Sequence, residues 1–207
     1  LDMRTMVGTY AAPECLWHCL AMAELAHHYY ELPVWGFAGC SDSKLADMQA
    51  GIESALWILS MALCGANLIH DSGYIESGLT CSYEMMVICD EIISFVRHLL
   101  YGIDLSAENM ALDVIDRVGP GGDYLGADHT ARLFRRVWYP RLLDRRAYQE
   151  WMERGQPTAL SRAQEVARET LARHQPEPLP EATRVRLRAI VAEADARAGV
   201  QPPPAAG

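Results

Sequence analysis

Short apolar runs that end in polar, glycine-containing loops and then give way to helices recur through the first half of this chain. That alternation limits the fold more than any other feature. Parallel strands need crossover connections, usually helical, so the rhythm points to βα units and an α/β class. Residues 3–10 read as the end of a strand, after which Pro13 and Glu14 open an apolar helix to about Tyr30. Residues 32–38 read as a second strand. The helix expected over residues 45–64 has apolar spacing through Met48, Ile52, Leu56, Leu59 and Leu63, with Gly65 as its stop. A third strand is expected over residues 66–69, followed by the polar loop His70-Asp71-Ser72-Gly73. Residues 75–80 are ambiguous. Ser82 reads as an N-cap, with Glu84 in the first turn of a long helix to Leu100.

Further on, Ser106 caps a helix expected to reach Val118, and Gly119-Pro120-Gly121-Gly122 turns the chain into a short strand at residues 123–125. Residues 127–198 read as helix with breaks near Gly155-Gln156-Pro157 and around His174-Gln175-Pro176. The final Gln-Pro-Pro-Pro-Ala-Ala-Gly is low in complexity. Only three or four βα units fit before the helical part. A closed eight-fold barrel typically takes about 250 residues, so a complete one is not expected. The chain has no initiator methionine and opens inside an element, which leads to the expectation of a fragment or half of a longer protein.

At 207 residues with 50% hydrophobic content, the chain can form one domain with a real core. It contains no uninterrupted apolar run of membrane-spanning length, and Leu-Asp-Met-Arg-Thr-Met lacks the basic and apolar regions of a signal peptide. A cytoplasmic location away from membranes is therefore expected. The six cysteines (Cys15, Cys19, Cys40, Cys64, Cys81 and Cys89) include no Cys-x-x-Cys pair, which suggests buried thiols rather than a zinc ribbon or a disulfide framework. Cys40, in its polar loop, is left open. The net charge of −9 is uneven: residues 1–105 hold 13 acids against Arg4, Lys44 and Arg97. Such an acidic half disfavours nucleic acid and suits a cationic ligand or plain solubility.

The loop that leaves the 32–38 strand stands out, because Lys44 within it is the sole lysine among 18 basic residues. Sites gather on loops held by a rigid scaffold. Gly36-Phe-Ala-Gly-Cys-Ser-Asp-Ser-Lys44, continuing through Asp47, Gln49, Ala50, Gly51 and Glu53, resembles the hallmark stretch of the trimethylamine methyltransferase family of corrinoid-dependent enzymes. Gly65-Ala-Asn-Leu-Ile-His-Asp-Ser-Gly73, Glu76-Ser-Gly-Leu-Thr80 with Ser82-Tyr-Glu84, and Gly119-Pro-Gly-Gly-Asp-Tyr-Leu125 with His129-Thr130 carry the same resemblance. Order and approximate spacing are kept over residues 1 to about 172.

The resemblance implies a (β/α)8 TIM barrel whose carboxyl-end loops receive a methylated amine, with the methyl group passing to cobalamin carried by a cognate corrinoid protein. It also implies a place in one-carbon metabolism, methanogenesis included. The match is to the C-terminal half of longer members. On this basis residues 1–146 are expected to form a partial TIM barrel, residues 147–198 a C-terminal helical extension and residues 199–207 a disordered tail. Trimethylamine-specific members use pyrrolysine, which is absent here. The pyrrolysine-free branch acts on quaternary amines such as glycine betaine, so such donors are favoured. An isolated half-barrel would expose strand edges and oligomerise, so a homo-oligomer is expected, and a non-catalytic remnant is the alternative reading.

Methyl transfer from a quaternary ammonium releases a neutral amine, so the protein has mainly to bind, orient and exclude water. Aromatic faces recognise such cations. Tyr10, Trp35, Phe37 and Tyr74 are the aromatic candidates, and strand alternation sends Trp35 and Phe37 to one side. Each is equally readable as core packing. Cys40, Asp42, Lys44 and Glu76 complete the set of expected substrate-binding residues. Lys44 and the following helix N-terminus either anchor a substrate carboxylate, or Lys44 pairs with Asp42 or Asp47 and shapes the loop. Asp42 has the further reading of an N-cap. His70 and Asp71 are the catalytic candidates, as an oriented imidazole at a strand end; an acid–base pair in a different barrel enzyme is a weaker reading. His129 either belongs to the site or caps the turn after Gly122. His27 and His28 are adjacent on a helix and lack a carboxylate at ligand spacing, so no metal site is expected.

Overall fold

A computed structural model describes residues 1–200. The chain divides into two compact units, residues 1–169 and 170–207. Most of the expected tail, residues 201–207, lies outside the described residues.

In the first unit, α1 (Pro13–His28) begins as expected, with Pro13 and Glu14 in its first turn. The strand expected over residues 3–10 is absent. Asp2 instead folds the segment onto itself, accepting the Arg4 N–H on Oδ1 and the Met6 N–H on its carbonyl, and a single bridge joins Asp2 to Val7.

The next elements form the α/β framework. Strands β1 (Trp35–Phe37) and β2 (Leu68–His70) run parallel with Trp35 opposite Leu68 and Phe37 opposite His70, and α2 (Met48–Leu63) is their crossover. Both strands are shorter than expected. The helix starts three residues late because Asp47, not Asp42, is its N-cap: Asp47 accepts the Ala50 N–H at 3.0 Å and the Ser43 hydroxyl at 2.9 Å. Accepting that amide holds the Asp47 carboxyl below its ordinary value. Gly36 lies against Met61 of α2, where a Cβ would overlap the thioether methyl, so this face of the sheet is closed by the helix.

The ambiguous stretch after β2 is a small antiparallel hairpin, β3 (Tyr74–Ile75) with β4 (Thr80–Cys81), joined by a 3₁₀ turn over Glu76–Gly78. Ser82 caps α3 (Tyr83–Tyr101) as expected, accepting the Met85 N–H at 3.2 Å. Helices α2 and α3 supply most of the core through Trp57, Ile58, Met61, Met85 and Cys89, with Ala38 from the loop after β1 and Ile75 from β3.

Beyond α3 the chain departs further from expectation. The helix after Ser106 is split into α4 (Ala107–Met110) and α5 (Leu112–Val118) by Ala111, whose φ of 47° is left-handed. Residues 123–125 form a turn rather than a strand, since Asp123 turns back to accept the Leu125 N–H. After α6 (Asp128–Leu133), residues 137–147 are irregular where helix was expected. Pro140 has no amide to give, and the next three N–H groups are captured by the buried carboxylate of Glu91. The segments α7 (Tyr148–Glu153) and α8 (Ala159–Arg173) follow. In the second unit α9 (Glu181–Ala198) has no buried residue and closes at Gly199. The described residues are α/β in class; beyond the paired β1 and β2 they hold no further parallel strand that would curve into a barrel wall.

Candidate functional site

The carboxyl ends of β1 and β2 open into two loops, residues 38–47 and 71–73, and the β3–β4 hairpin packs beside them. Gly39 and Gly73 permit the close approach. Both have positive φ, and a Cβ on Gly73 would lie 3.0 Å from the Met86 backbone nitrogen at the start of α3. Between these loops, the hairpin and the N-terminal segment lies a cleft of about 510 Å³ lined by Tyr10, Phe37, Cys40, Asp71 and Tyr74, with Ser77, Gly78 and Leu79 closing one side. The structure thus brings together five of the ten sequence-selected residues. No lysine or arginine lines this cleft among the described residues.

The aromatic side chains form a chain of ring contacts. Phe37 meets Tyr10 edge-on at 5.5 Å between centroids, Trp57 at 4.6 Å and the His70 ring at 6.4 Å. Trp35 lies 4.8 Å from His70, so β1 directs both its aromatics to the same side, as strand alternation requires. Trp35 nonetheless stands outside the cleft, 70% exposed. The Trp57 indole N–H is buried without an acceptor, a cost borne by the packing of its ring against Phe37.

His70 Nδ1 is 2.8 Å from Asp71 Oδ1. A carboxylate only accepts, so Nδ1 holds the proton and a neutral ring leaves Nε2 as an acceptor. Asp71 itself adopts a left-handed φ of 69°, which sends its side chain back toward the strand it has just left. Cys40 is 2% exposed, and burial first, then the charges of Asp71 and Asp42, push its thiol up to about 11. It lines the cleft as a neutral group at ordinary pH.

The remaining candidates serve the loop. Asp42 accepts the backbone N–H groups of Tyr10 and Ala11 and the hydroxyl of Ser77, and it does not line the cleft. Lys44 is exposed and donates to the Asp42 carbonyl at 2.7 Å; it makes no ion pair with Asp42 or Asp47. Glu76 donates its N–H to the Ser43 carbonyl and accepts the Thr80 hydroxyl across the hairpin turn. His129 reaches away from the cleft, with Nε2 2.7 Å from the Glu108 carbonyl.

Two residues that sequence reasoning had not singled out as site residues hold this arrangement together. Glu53, in the second turn of α2, accepts the Ser41 hydroxyl at 2.6 Å and the Asp42 N–H at 2.9 Å. Ser77 lies in a left-handed conformation and contributes to the cleft wall. Their signal was positional: an acid facing back toward the N-terminal loop of its own helix, and a serine beside a glycine in a turn.

Aromatic and acidic side chains gather at the carboxyl ends of the paired parallel strands, the place where open α/β sheets carry small-molecule sites. Comparison with known proteins gives the family: trimethylamine methyltransferase (MTTB) matches residues 1–199, and the chain belongs to that family. Its relatives include a protein named trimethylamine methyltransferase from Desulfitobacterium hafniense (strain DSM 10664 / DCB-2), 36% identical over 200 residues, 97% of this chain and 40% of that protein. A glycine betaine methyltransferase from D. hafniense (strain Y51) is 34% identical over 194 residues, 93% of this chain and 40% of the relative. A trimethylamine methyltransferase from Methanosarcina thermophila is 35% identical over 178 residues, 86% of this chain and 37% of the relative. The chain therefore spans about two fifths of the length of these relatives.

Proposed function

We propose that this chain is part of a methyltransferase that moves a methyl group from a methylated amine, a quaternary one such as glycine betaine being the favoured donor, to the Co(I) of a separate corrinoid protein. The observation that carries the reading is the cleft at the strand ends, with three aromatic rings and one carboxylate and without a cationic side chain, in a chain of the trimethylamine methyltransferase family. Cation–π attraction and the Asp71 charge suit a methylated ammonium. Tyr10, Phe37 and Tyr74 would hold the methyl-bearing nitrogen, Cys40 would add a neutral wall, and Trp35 would steady the His70 ring. His70 and Asp71 would orient the donor, since a neutral amine leaves without needing a proton. A donor carboxylate would require a cationic anchor from outside this cleft, for which Lys44 on the β1 loop is the candidate, while Asp42 and Glu76 would keep that loop in shape.

The corresponding architecture is the C-terminal half of a (β/α)8 barrel with added helices. The proposed location is the cytoplasm; no described helix is long and apolar enough to cross a membrane. The test is methylation of cob(I)alamin followed by absorbance, with the longest reading frame that carries these residues and with glycine betaine, carnitine and trimethylamine as donors. Turnover with the quaternary donors is expected, and silence with all three refutes the proposal.

A second reading is favoured by one observation. Among the described residues β1 and β2 have no other strand beside them, and Trp35 and Leu68 on their open face are 70% and 59% exposed. Parallel sheets are normally covered on both faces, so the chain could act as a non-catalytic half-barrel that associates with itself. Light scattering decides: a monodisperse monomer removes this reading, and the homo-oligomer with it.

A further inference from the structure

The N-terminal segment that brings Tyr10 to the cleft has little holding it. Among the described residues, the hydrogen bonds that residues 1–11 make outside their own segment run from the Tyr10 N–H to Asp42 Oδ1 at 3.0 Å and from the Ala11 N–H to Asp42 Oδ2 at 3.3 Å. The opposite wall of the cleft has a similar dependence. Glu76 and Ser77 both adopt left-handed backbone, at φ 53° and 54°, a conformation that persists only where the surroundings enforce it. Part of that enforcement is the Ser77 hydroxyl donating to the same Asp42 Oδ1 at 2.8 Å. Asp42 is fixed in turn by its own N–H, which Glu53 Oε2 accepts.

We propose that Asp42 is a positioning residue: its carboxylate clips the Tyr10 segment to the Ser77 turn, and so sets the aromatic wall of a cleft that it does not itself line. Three donors converge on its two oxygens, and a substrate cation would meet Tyr10 and Tyr74 instead. Glu53 supports the clip from α2. The consequence for ligand binding rests on the cation-binding reading given under Proposed function; the clip itself does not.

The experiment combines amide hydrogen exchange with titration of tetramethylammonium, on the unaltered chain and on Asp42→Ala, Asp42→Asn, Tyr10→Ala and the Asp42→Ala/Tyr10→Ala double variant. Asp42→Ala is expected to speed exchange at Tyr10 and Ala11 about tenfold or more while the amides of α2 and α3 stay protected, which also reports that the variant folds. Asp42→Asn, which keeps an acceptor oxygen, should fall between. Tetramethylammonium should bind Asp42→Ala and Tyr10→Ala with equally reduced affinity, and the double variant no more weakly than either single one. Unchanged exchange at residues 10 and 11 overturns the clip. Faster exchange with intact binding, or additive losses in the double variant, overturns its role in recognition. An unaltered chain that does not bind tetramethylammonium overturns the cation reading and the recognition half of this proposal with it, while the exchange rates still decide the clip.

Discussion

His70 Nδ1 and Asp71 Oδ1 stand 2.8 Å apart at the lip of the cleft, so one residue of β2 has its ring orientation set by its immediate neighbour. The left-handed backbone at Asp71 makes this contact between adjacent residues feasible. Nitrogen-15 NMR of the imidazole should show the Nδ1–H tautomer when the ring is neutral. Asp71→Asn replaces an obligate acceptor with a group that also donates, and should mix the tautomers. If the ring orients the methyl donor, His70→Ala lowers methyl transfer about a hundredfold, the scale on which small misplacements act. An unperturbed tautomer in Asp71→Asn contradicts the pairing, and an unaffected rate in His70→Ala removes His70 from the site.

The aromatic wall carries a separate expectation. Tyr10 and Tyr74 line the cleft from the N-terminal segment and the hairpin, so neither is needed for the α2–α3 core. Replacing either by leucine should weaken tetramethylammonium binding by about 0.5–2 kcal/mol, or roughly twofold to thirtyfold. Calorimetric titration measures this directly. Glycine betaine should respond by a similar factor if its ammonium end occupies the same place.

The α/β class, the α1 and α3 starts and the shared side of Trp35 and Phe37 were legible because each depends on local chemistry: a proline, a serine cap, a two-residue period. Four features were not. Asp47 displaced Asp42 as the cap because Ser43 folds onto it, a contact four residues apart that loop composition does not rank. The irregular segment at 137–147 depends on Glu91, some fifty residues earlier in the chain. The cleft gathers Tyr10, Phe37, Asp71 and Tyr74 from four segments, and the role of Asp42 was hidden because its partners, Tyr10 and Ser77, lie more than thirty residues away on either side. Long-range pairing carries no local signal.

Cys40 gives the cleft a pH signature. Its thiol, raised by burial and by Asp71 and Asp42 to about 11 from an ordinary 9.0, has about a hundredfold less thiolate at pH 8 than a free cysteine. Iodoacetamide at that pH should spare Cys40 and modify the exposed Cys81. The folded value lies above the unfolded one, so the folded state binds the extra proton. The stability linked to it is complete below about pH 9 and is lost as pH rises toward about 11. The urea midpoint should fall across that interval, and Cys40→Ala should remove part of the fall; Cys19, also raised to about 11 by burial, contributes another part. A midpoint that stays level from pH 9 to 11 contradicts both assignments.

Glu91 closes the far side of the same framework. It is 3% exposed on α3, and Oε1 accepts the N–H groups of Arg141, Leu142 and Leu143 at 2.9, 3.1 and 3.4 Å. The Arg141 guanidinium lies 3.6 Å from its other oxygen, but that side chain is largely exposed and also pairs with Asp90. The backbone bonds should therefore outweigh the ion pair. Glu91→Ala should cost about 2–3 kcal/mol, since three amides lose a charged acceptor, whereas Arg141→Ala should cost about 1 kcal/mol or less. Glu91→Gln keeps an acceptor oxygen and should fall between them. Urea unfolding of the three variants measures the order. Arg141→Ala as damaging as Glu91→Ala would place the stabilisation in the ion pair, and the irregular path of residues 137–147 would then need another cause than capture of its amides.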